Sequence, residues 1–218
     1  MTNYVLKKPI LLSLYGFPGS GKTNFARQLA QSLGAIHLQS DKVRFDLFEH
    51  PRNDQQENDI IAHLMQYMAE EFLKAGKSVI YDADVARSAQ RKQIRELASV
   101  AKAHPLLVWI QIDLETSFAR VSKRDRRKTD DKYSRDLSRA EFDSEASKMQ
   151  NPGRTEDYVV ISGKHNFQTQ QNAVIKRLYD VGLMSSNDAY GNVVKPGLVN
   201  LIPTSGRVDD TRRNISIR

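Results

Sequence analysis

Short apolar runs alternate along the chain with longer segments in which apolar residues recur at helical spacing. The runs cover 10–15, 35–38, 78–81, 106–112 and 158–162. Nearly unbroken runs of this length are typical of parallel strands that are buried on both faces. The helical patterns cover 25–33, 61–72, 88–103, 114–127, 138–149 and 168–181. The alternation predicts an α/β fold with a five-stranded parallel sheet and helices on both sides.

Length and composition are those of a folded domain. The 218 residues suffice for one domain, expected over 1–181, followed by a tail over 182–218 that is interpreted as a hairpin, an oligomer contact or an unfolded segment. The absence of cysteine excludes disulfides, thiol nucleophiles and cysteine-ligated metal sites. Since the sequence shows neither a leader nor an apolar stretch of about 20 residues, we expect a cytoplasmic protein that does not enter membranes.

The segment Gly16–Thr23 lies directly after the first predicted strand and opens the first predicted helix. It matches the phosphate-binding pattern G-x-x-x-x-G-K-[ST] in full. Glycines let the backbone curl so that its N–H groups point at phosphate oxygens, and the helix N-terminus adds positive charge. Lys22 is expected to reach the β- and γ-phosphates of ATP, and Thr23 to bind Mg²⁺. The predicted nucleotide-binding residues of this loop are Gly16, Pro18, Gly19, Ser20, Gly21, Lys22 and Thr23.

Two charged residues, Asp41 and Arg44, follow the second predicted strand and lie three positions apart. In a first helical turn both side chains face the same way, beside the phosphate loop. An aspartate at this place accepts the proton of an attacking hydroxyl, while an arginine orients the acceptor or holds its phosphate. The alternative interpretation is a helix cap made by Ser40 or Asp41, with Arg44 in solvent.

Positive charge is concentrated between Arg120 and Arg139, where nine lysines and arginines stand against four aspartates. On a continuous helix, Arg120, Arg124 and Arg127 share one face. Arginines on a closing lid stabilise the charge of a transferring phosphoryl group and exclude water. We therefore predict an arginine-rich lid over about 120–140, against the alternative of a solvated charged surface.

These motifs together resemble the 5′-kinase domain of phage polynucleotide kinase and the related small P-loop kinases, among them zeta toxins and chloramphenicol phosphotransferases, with an ATP-binding domain of the AAA_33 type. The resemblance spans roughly 10–149. It implies a three-layer αβα P-loop fold with strand order 2-3-1-4-5, and ATP and Mg²⁺ as ligands. It also implies that Asp41 and Arg44 are the D-x-x-R pair of the family, with Asp41 as the base.

Three further residues enter through this resemblance. Asp82, which follows the third predicted strand, is similar to the aspartate that supports the metal. Arg124 resembles the lid arginine that engages ATP phosphates, and Arg120 is the second such residue. The sequence departs from the family at Asp84, an extra carboxylate that bears on metal binding. It also shows no phosphatase-like D-x-D-x-T motif, so the resemblance implies a kinase alone.

The sequence therefore predicts an ATP-dependent phosphotransferase in which Asp41, Arg44, Lys22, Arg124 and Arg120 are the catalytic residues. A polynucleotide 5′-hydroxyl, of RNA or DNA, is the acceptor that fits the basic charge and the lid. A small metabolite, a sugar nucleotide or an antibiotic fits the fold equally well. A rival hypothesis from another class is an ATP-controlled binding protein whose lid and tail dock a partner. The five histidines show no metal-ligand spacing and are interpreted as surface or core residues.

Overall fold

The computed structural model describes residues 4–127, 129 and 131–184. Its strands are β1 (Ile10–Tyr15), β2 (Ile36–Gln39), β3 (Val79–Asp82), β4 (His104–Gln111) and β5 (Tyr158–Ser162). Its helices are α1 (Lys22–Leu33), α2 (Ser40–Leu47), α3 (Gln55–Lys74), α4 (Ser88–Val100), α5 (Leu114–Val121), α6 (Arg139–Ser147) and α7 (Phe167–Asp180). None of these helices is long and apolar enough to cross a membrane.

The strands form one parallel sheet of order β2-β3-β1-β4-β5, which confirms the predicted fold class and strand order. β1 lies in the centre, and all its residues are buried because helices cover both faces of the sheet. The carboxyl ends of parallel strands meet at one edge, where the following loops converge. The loops after β1, β2 and β3 therefore lie together.

Successive residues of β1 pack into two separate hydrophobic cores, because side chains alternate between the faces of a strand. Leu12 and Leu14 pack with residues of α1 and α7 on one face. Leu11 and Tyr15 pack with residues of α3 and α4 on the other. A slip of one residue would exchange the two faces, so the packing fixes the register of β1 and the position of the loop after it.

A buried ion pair joins α4 to the segment before β5. The side chain of Arg91 is 2% exposed, and its guanidinium donates to both carboxylate oxygens of Glu156, at 2.7 and 3.1 Å. It also donates to the carbonyl oxygens of Val85 and Ala86, at 3.0 and 3.1 Å, in the loop after β3. Its central carbon lies 5.1 Å from the ring centre of Tyr15. One guanidinium thus links α4 to the loop after β3 and to the segment before β5.

Most predicted elements agree with the structure within a few residues, but α5 ends well before the predicted end at 127. Beyond the helix, the backbone N–H of Arg127 donates to the Asp125 side chain at 3.0 Å. The backbone N–H of Asp125 donates to the Asp131 side chain at 3.2 Å. Such local bonds compete with helical hydrogen bonds. The prediction that Arg120, Arg124 and Arg127 share one helical face is therefore wrong.

The start of the predicted tail packs on the domain. Leu183 and Met184 are buried in the core that contains α1 and α7. The backbone N–H of Lys7 donates to the carbonyl oxygen of Leu183 at 3.0 Å. The rest of the tail, 185–218, lies outside the described residues. The boundary after 181 and the hairpin or oligomer role of the tail remain predictions.

The Arg91–Glu156 pair predicts a large loss of stability when its anion is removed. Glu156→Gln leaves the buried guanidinium without its counter-charge, and we expect the free energy of unfolding to fall by about 3–5 kcal/mol. Urea unfolding measures this change. The control is Glu96→Gln on α4, which removes an exposed pair with Lys92 at 3.7 Å and should cost less than about 1 kcal/mol. Equal losses in the two variants would contradict the structural role assigned to Arg91.

Candidate active site

The phosphate-loop motif forms the turn between β1 and α1. Gly16 and Gly19 have φ angles of 152° and 83°, which side chains with a Cβ rarely adopt. A Cβ on Gly16 would lie 2.5 Å from the carbonyl oxygen of Ile110, and one on Gly19 would lie 2.5 Å from that of Ser117. The loop backbone thus lies against the end of β4 and against α5, and glycine is required at both positions.

The N-terminus of α1 is left open by the protein. Its N-cap residue, Gly21, provides no side-chain hydrogen bond, and the first turn contains no acidic residue. By contrast, side chains cap four other helices, α3, α5, α6 and α7: Asp54, Asp113, Ser138 and Asn166. The first N–H groups of an uncapped helix attract anions, since they carry partial positive charge. This end of α1 therefore fits the phosphate groups of ATP.

Two further loop residues show how the motif is held. The Ser117 hydroxyl donates to the carbonyl oxygen of Pro18 at 2.8 Å, which ties the loop to α5. The Ser20 hydroxyl is buried and has no hydrogen-bond partner within the described part of the chain. An unpaired buried hydroxyl costs about 1–3 kcal/mol, and an oxygen-rich ligand is the kind of partner that removes this cost.

Lys22 is the first residue of α1, directly after the loop turn. Its ammonium donates to the carbonyl oxygens of Gly16 and Phe17, at 2.7 and 2.9 Å. Burial lowers the pKa of Lys22, and the carboxylates of Asp82 and Asp84 oppose this shift. The charged lysine is thus held between the loop and the carboxyl end of β3.

Asp41 lies in the first turn of α2, directly after β2, and Gln39 of β2 pairs with Asp82 of β3. The pKa of Asp41 is raised because surrounding protein removes water from the carboxylate and because Asp82 repels its charge. Arg124, Arg44 and Lys22 oppose the shift. The residue nevertheless remains exposed. An accessible carboxylate with a raised pKa suits proton acceptance from a bound hydroxyl.

Arg44 is anchored to α3. Its side chain is 13% exposed and donates to Glu57 Oε2 at 3.0 Å and to Asn58 Oδ1 at 2.6 Å. These bonds fix α2 against α3, so the alternative of a solvated Arg44 is wrong. Arg44 acts on Asp41 through its charge. Its role as a ligand of the acceptor remains a prediction.

The two predicted lid arginines lie in different places. Arg124 donates to the carbonyl oxygen of Arg135 at 2.7 Å, and its charge acts on Asp41. Burial lowers the pKa of Arg124, which nearby carboxylates oppose. Arg120, at the end of α5, donates to the carbonyl oxygen of Gly163 at 3.0 Å, in the loop after β5. Arg124 therefore borders the Asp41 side of the site, whereas Arg120 borders the β5 side.

Four other arginines of the basic segment are paired with carboxylates. The pairs are Arg126–Asp136, Arg127–Asp125, Arg135–Glu145, Arg139–Glu115 and Arg139–Asp143. Glu115, Asp143 and Glu145 lie outside the sequence segment 120–139. Folding thus brings in anions from α5 and α6, and it neutralises charge that the linear sequence leaves unbalanced.

Thr23 and Asp82 offer a hydroxyl and a carboxylate oxygen, the hard donors that Mg²⁺ prefers. Among the residues that the structure describes, no group of three or more histidine, aspartate or glutamate residues is placed to hold a metal. Mg²⁺ in phosphoryl-transfer sites needs only one or two protein oxygens together with phosphate oxygens, so the donors fit. Asp84 instead accepts a hydrogen bond from the backbone N–H of Ala86 at 2.9 Å.

His37 also borders this site, and no motif in the sequence predicted it. Its Nε2 lies 3.1 Å from Asp82 Oδ2, although spacing along the chain offered no signal for the contact. Only the predicted strand order indicates that His37 and Asp82 are close, because it places β2 beside β3 in the parallel sheet.

A cavity of about 800 Å³ borders Gly16 and Phe17. Trp109 and Met149 also line it, but Lys22 and the predicted lid and acceptor residues do not. This cavity therefore adjoins the phosphate loop on the side of β4 and β5, and Asp41 is not among its lining residues.

A family model described as an AAA domain, AAA_33, matches residues 11–152, well over half of the chain. The chain belongs to the AAA_33 family. A comparison with curated protein sequences finds no match. Among solved structures, the APS kinase CysC of Mycobacterium tuberculosis, in complex with AMPPNP and APS, is 18% identical with a TM-score of 0.60, covering 79% of this chain and 98% of that one.

Two more solved structures resemble this AAA_33 chain. A sugar kinase from Janibacter sp. HTCC2649 is 15% identical with a TM-score of 0.60, covering 78% of this chain and 95% of that one. Kti12 of Chaetomium thermophilum, in complex with ADP-AlF3, is 17% identical with a TM-score of 0.62, covering 80% and 99%. Likeness at these identities shows the fold alone. The AAA_33 domain thus has a P-loop kinase-like fold, while the comparisons do not confirm the predicted polynucleotide kinase subgroup.

The close approach of Gly19 to α5 predicts that an added methyl group disrupts nucleotide binding. For Gly19→Ala, overpacking of about 1–3 kcal/mol should weaken binding of an ATP analogue roughly 10- to 100-fold, as measured by isothermal titration calorimetry. Gly34→Ala is the control, since Gly34 also has a positive φ, 62°, but no atom within 4 Å of an added Cβ. It should lose some stability and keep its affinity. Unchanged affinity in Gly19→Ala would contradict the assigned role of the loop.

Proposed function

We propose that this protein transfers the γ-phosphate of ATP to a hydroxyl group held beside Asp41. The supporting observation is that Asp41, an exposed residue in the first turn of α2, lies close enough to Lys22, Asp82 and Arg124 for their charges to act on its pKa. These residues come from α1, α2, β3 and the lid segment, and they meet at the carboxyl edge of the sheet. A base and several cations around a phosphate-binding loop are the parts that phosphoryl transfer requires.

Each residue has a defined task in this proposal. The open end of α1 and Lys22 hold the phosphate chain and withdraw its charge. Asp41 accepts the proton of the acceptor hydroxyl as the hydroxyl oxygen attacks the γ-phosphorus, the bond to the β–γ bridging oxygen breaks and ADP leaves. Arg124, with Arg120 on the opposite side, stabilises the charge of the transferring group. Mg²⁺, when bound by Thr23 and Asp82, neutralises further phosphate charge.

For the acceptor we propose a small molecule. The carboxylates paired with Arg126, Arg127, Arg135 and Arg139 remove much of the free positive charge with which a nucleic acid backbone interacts. The similar solved structures include proteins described as a sugar kinase and an APS kinase. The preferred acceptor is therefore a small hydroxyl compound, such as a sugar or a sugar nucleotide, rather than a polymer.

A polynucleotide 5′-hydroxyl is the second candidate. The net charge of +7 favours it, and so does the resemblance of the phosphate loop, the D-x-x-R pair and the lid to polynucleotide kinase. Binding of a polynucleotide would weaken steeply with added salt, whereas binding of an uncharged small acceptor would not. This difference separates the two classes of acceptor.

A transfer assay tests the proposal. The enzyme is incubated with Mg²⁺, γ-³²P-ATP and separate pools of sugars, nucleosides, sugar nucleotides, antibiotics and 5′-hydroxyl oligonucleotides, and the labelled product is identified. Asp41→Asn should lower the turnover number between about 100- and 10,000-fold, since it removes the base, while ATP affinity stays near the wild-type value. Asp46→Asn, an exposed position on the same helix, is the matched control and should retain activity.

Each outcome of the assay has one meaning. Label on a small molecule supports the proposed acceptor class, and label on oligonucleotide 5′ ends replaces it with the second candidate. Normal turnover of Asp41→Asn removes Asp41 as the base. Tight ATP binding without transfer to any pool would contradict a kinase and favour the ATP-controlled binding protein.

The raised pKa of Asp41 predicts how activity responds to pH. Asp41 accepts a proton only when ionised, so kcat/KM should fall as the pH drops through its pKa, above the ordinary range of an aspartate. The charge of Arg44 favours ionised Asp41, so Arg44→Gln should move the acidic limb to higher pH. Arg52→Gln, which removes another arginine bonded to Glu57, is the control and should leave the limb in place. A shift to lower pH in Arg44→Gln would contradict the assignment.

A further inference from the structure

His37 and Asp82 form a side-chain pair beside the phosphate loop. His37 Nε2 lies 3.1 Å from Asp82 Oδ2, and the two side chains are 18% and 8% exposed. The ring nitrogen carries the proton in this contact, because an ionised carboxylate only accepts hydrogen bonds. Within the described part of the chain, Asp82 Oδ1 receives no hydrogen bond, so the histidine holds one oxygen and leaves the other available.

The sheet geometry directs Asp82 toward α1. Ile80 packs in the core that contains α1, and Asp82, two residues later on β3, lies on the same face of the strand. His37 pairs in register with Ile80 on the neighbouring strand. The N-terminus of α1 on this side carries Lys22 and Thr23.

A carboxylate at the end of a strand has freedom to rotate unless a neighbour fixes it. Lys22 attracts Asp82 through its charge, but its ammonium hydrogen bonds go to loop carbonyl oxygens. The His37 ring is therefore the side chain that holds the Asp82 carboxylate by a hydrogen bond within the described residues. Partners of this kind orient metal-binding groups, and their loss typically weakens metal binding about 10- to 100-fold.

We propose that His37 is a positioning residue that orients Asp82 toward the Mg²⁺ of bound Mg·ATP. This inference rests on the proposed function of the cleft as an ATP site, and it assigns a role to a side chain that the sequence places among surface or core residues. His37 acts through Asp82 and does not touch the reacting groups.

The structure offers a matched control pair. His104 Nε2 lies 2.8 Å from Asp157 Oδ2, with side chains 21% and 20% exposed. His104 begins β4 and Asp157 precedes β5, so this pair lies at the opposite edge of the sheet from the phosphate loop. Loss of either histidine removes a half-buried histidine–aspartate contact between neighbouring strands. Only the loss of His37 should affect the metal.

The test measures nucleotide binding, which needs no acceptor. Isothermal titration calorimetry gives the affinity for the non-hydrolysable analogue AMPPNP in Mg²⁺ and in EDTA, and the ratio of the two affinities reports the contribution of the metal. His37→Leu should lower this ratio about tenfold and leave the affinity in EDTA unchanged. His37→Gln, whose amide N–H replaces the donor, should restore most of the ratio. His104→Leu should keep the wild-type ratio, and thermal unfolding verifies that each variant is folded.

Three results would overturn the proposal. The ratio of the affinities in Mg²⁺ and EDTA could stay at the wild-type value in His37→Leu, or it could fall equally in His104→Leu. The third is a wild-type protein whose affinity for AMPPNP is the same in Mg²⁺ and in EDTA. Failure of the proposed function looks different. A protein that binds Mg·AMPPNP but phosphorylates no acceptor would refute the transferase, while the ratio would still decide the role of His37.

Discussion

The close contact of the phosphate loop with the backbone of β4 and α5 is the constraint on which the rest of the site depends. Gly16 and Gly19 lie so close to the carbonyl oxygens of Ile110 and Ser117 that a Cβ at either glycine would reach 2.5 Å. This approach is possible because β1 is fixed by cores on both faces of the sheet. The loop then starts α1 with its first N–H groups uncapped. Anion binding follows from the fold rather than from any single side chain.

The charged residues around this loop fall into two groups, those that act on Asp41 and those that are paired with other side chains. The charges of Lys22, Asp82 and Arg124 act on Asp41, and Asp41 itself remains exposed. Arg126 and Arg127 are instead paired with aspartates inside the predicted lid segment. Arg135 joins this segment to Glu145 of α6, and Arg139 of α6 pairs with Glu115 of α5. The same basic stretch of sequence thus serves both the site and its own structure.

The sheet could be read from the sequence because each strand is a compact apolar run, and the phosphate loop because its motif is specific. The lid could not, since helical spacing of arginines does not reveal that Asp125 and Asp131 bond to the local backbone. The partner of Arg44 on α3 was equally invisible, because Glu57 lies thirteen positions away. The His37–Asp82 contact depends on strand pairing over 45 positions, which chain order alone does not show.

A crystal structure of the complex with Mg·AMPPNP would locate the terminal phosphate relative to Asp41. We expect the phosphate chain to lie in the loop Gly16–Thr23, with the metal beside Thr23 and Asp82 and with the terminal phosphate facing the Asp41 carboxylate. A nucleotide bound instead in the cavity beside Trp109, or a terminal phosphate turned away from Asp41, would contradict this expectation.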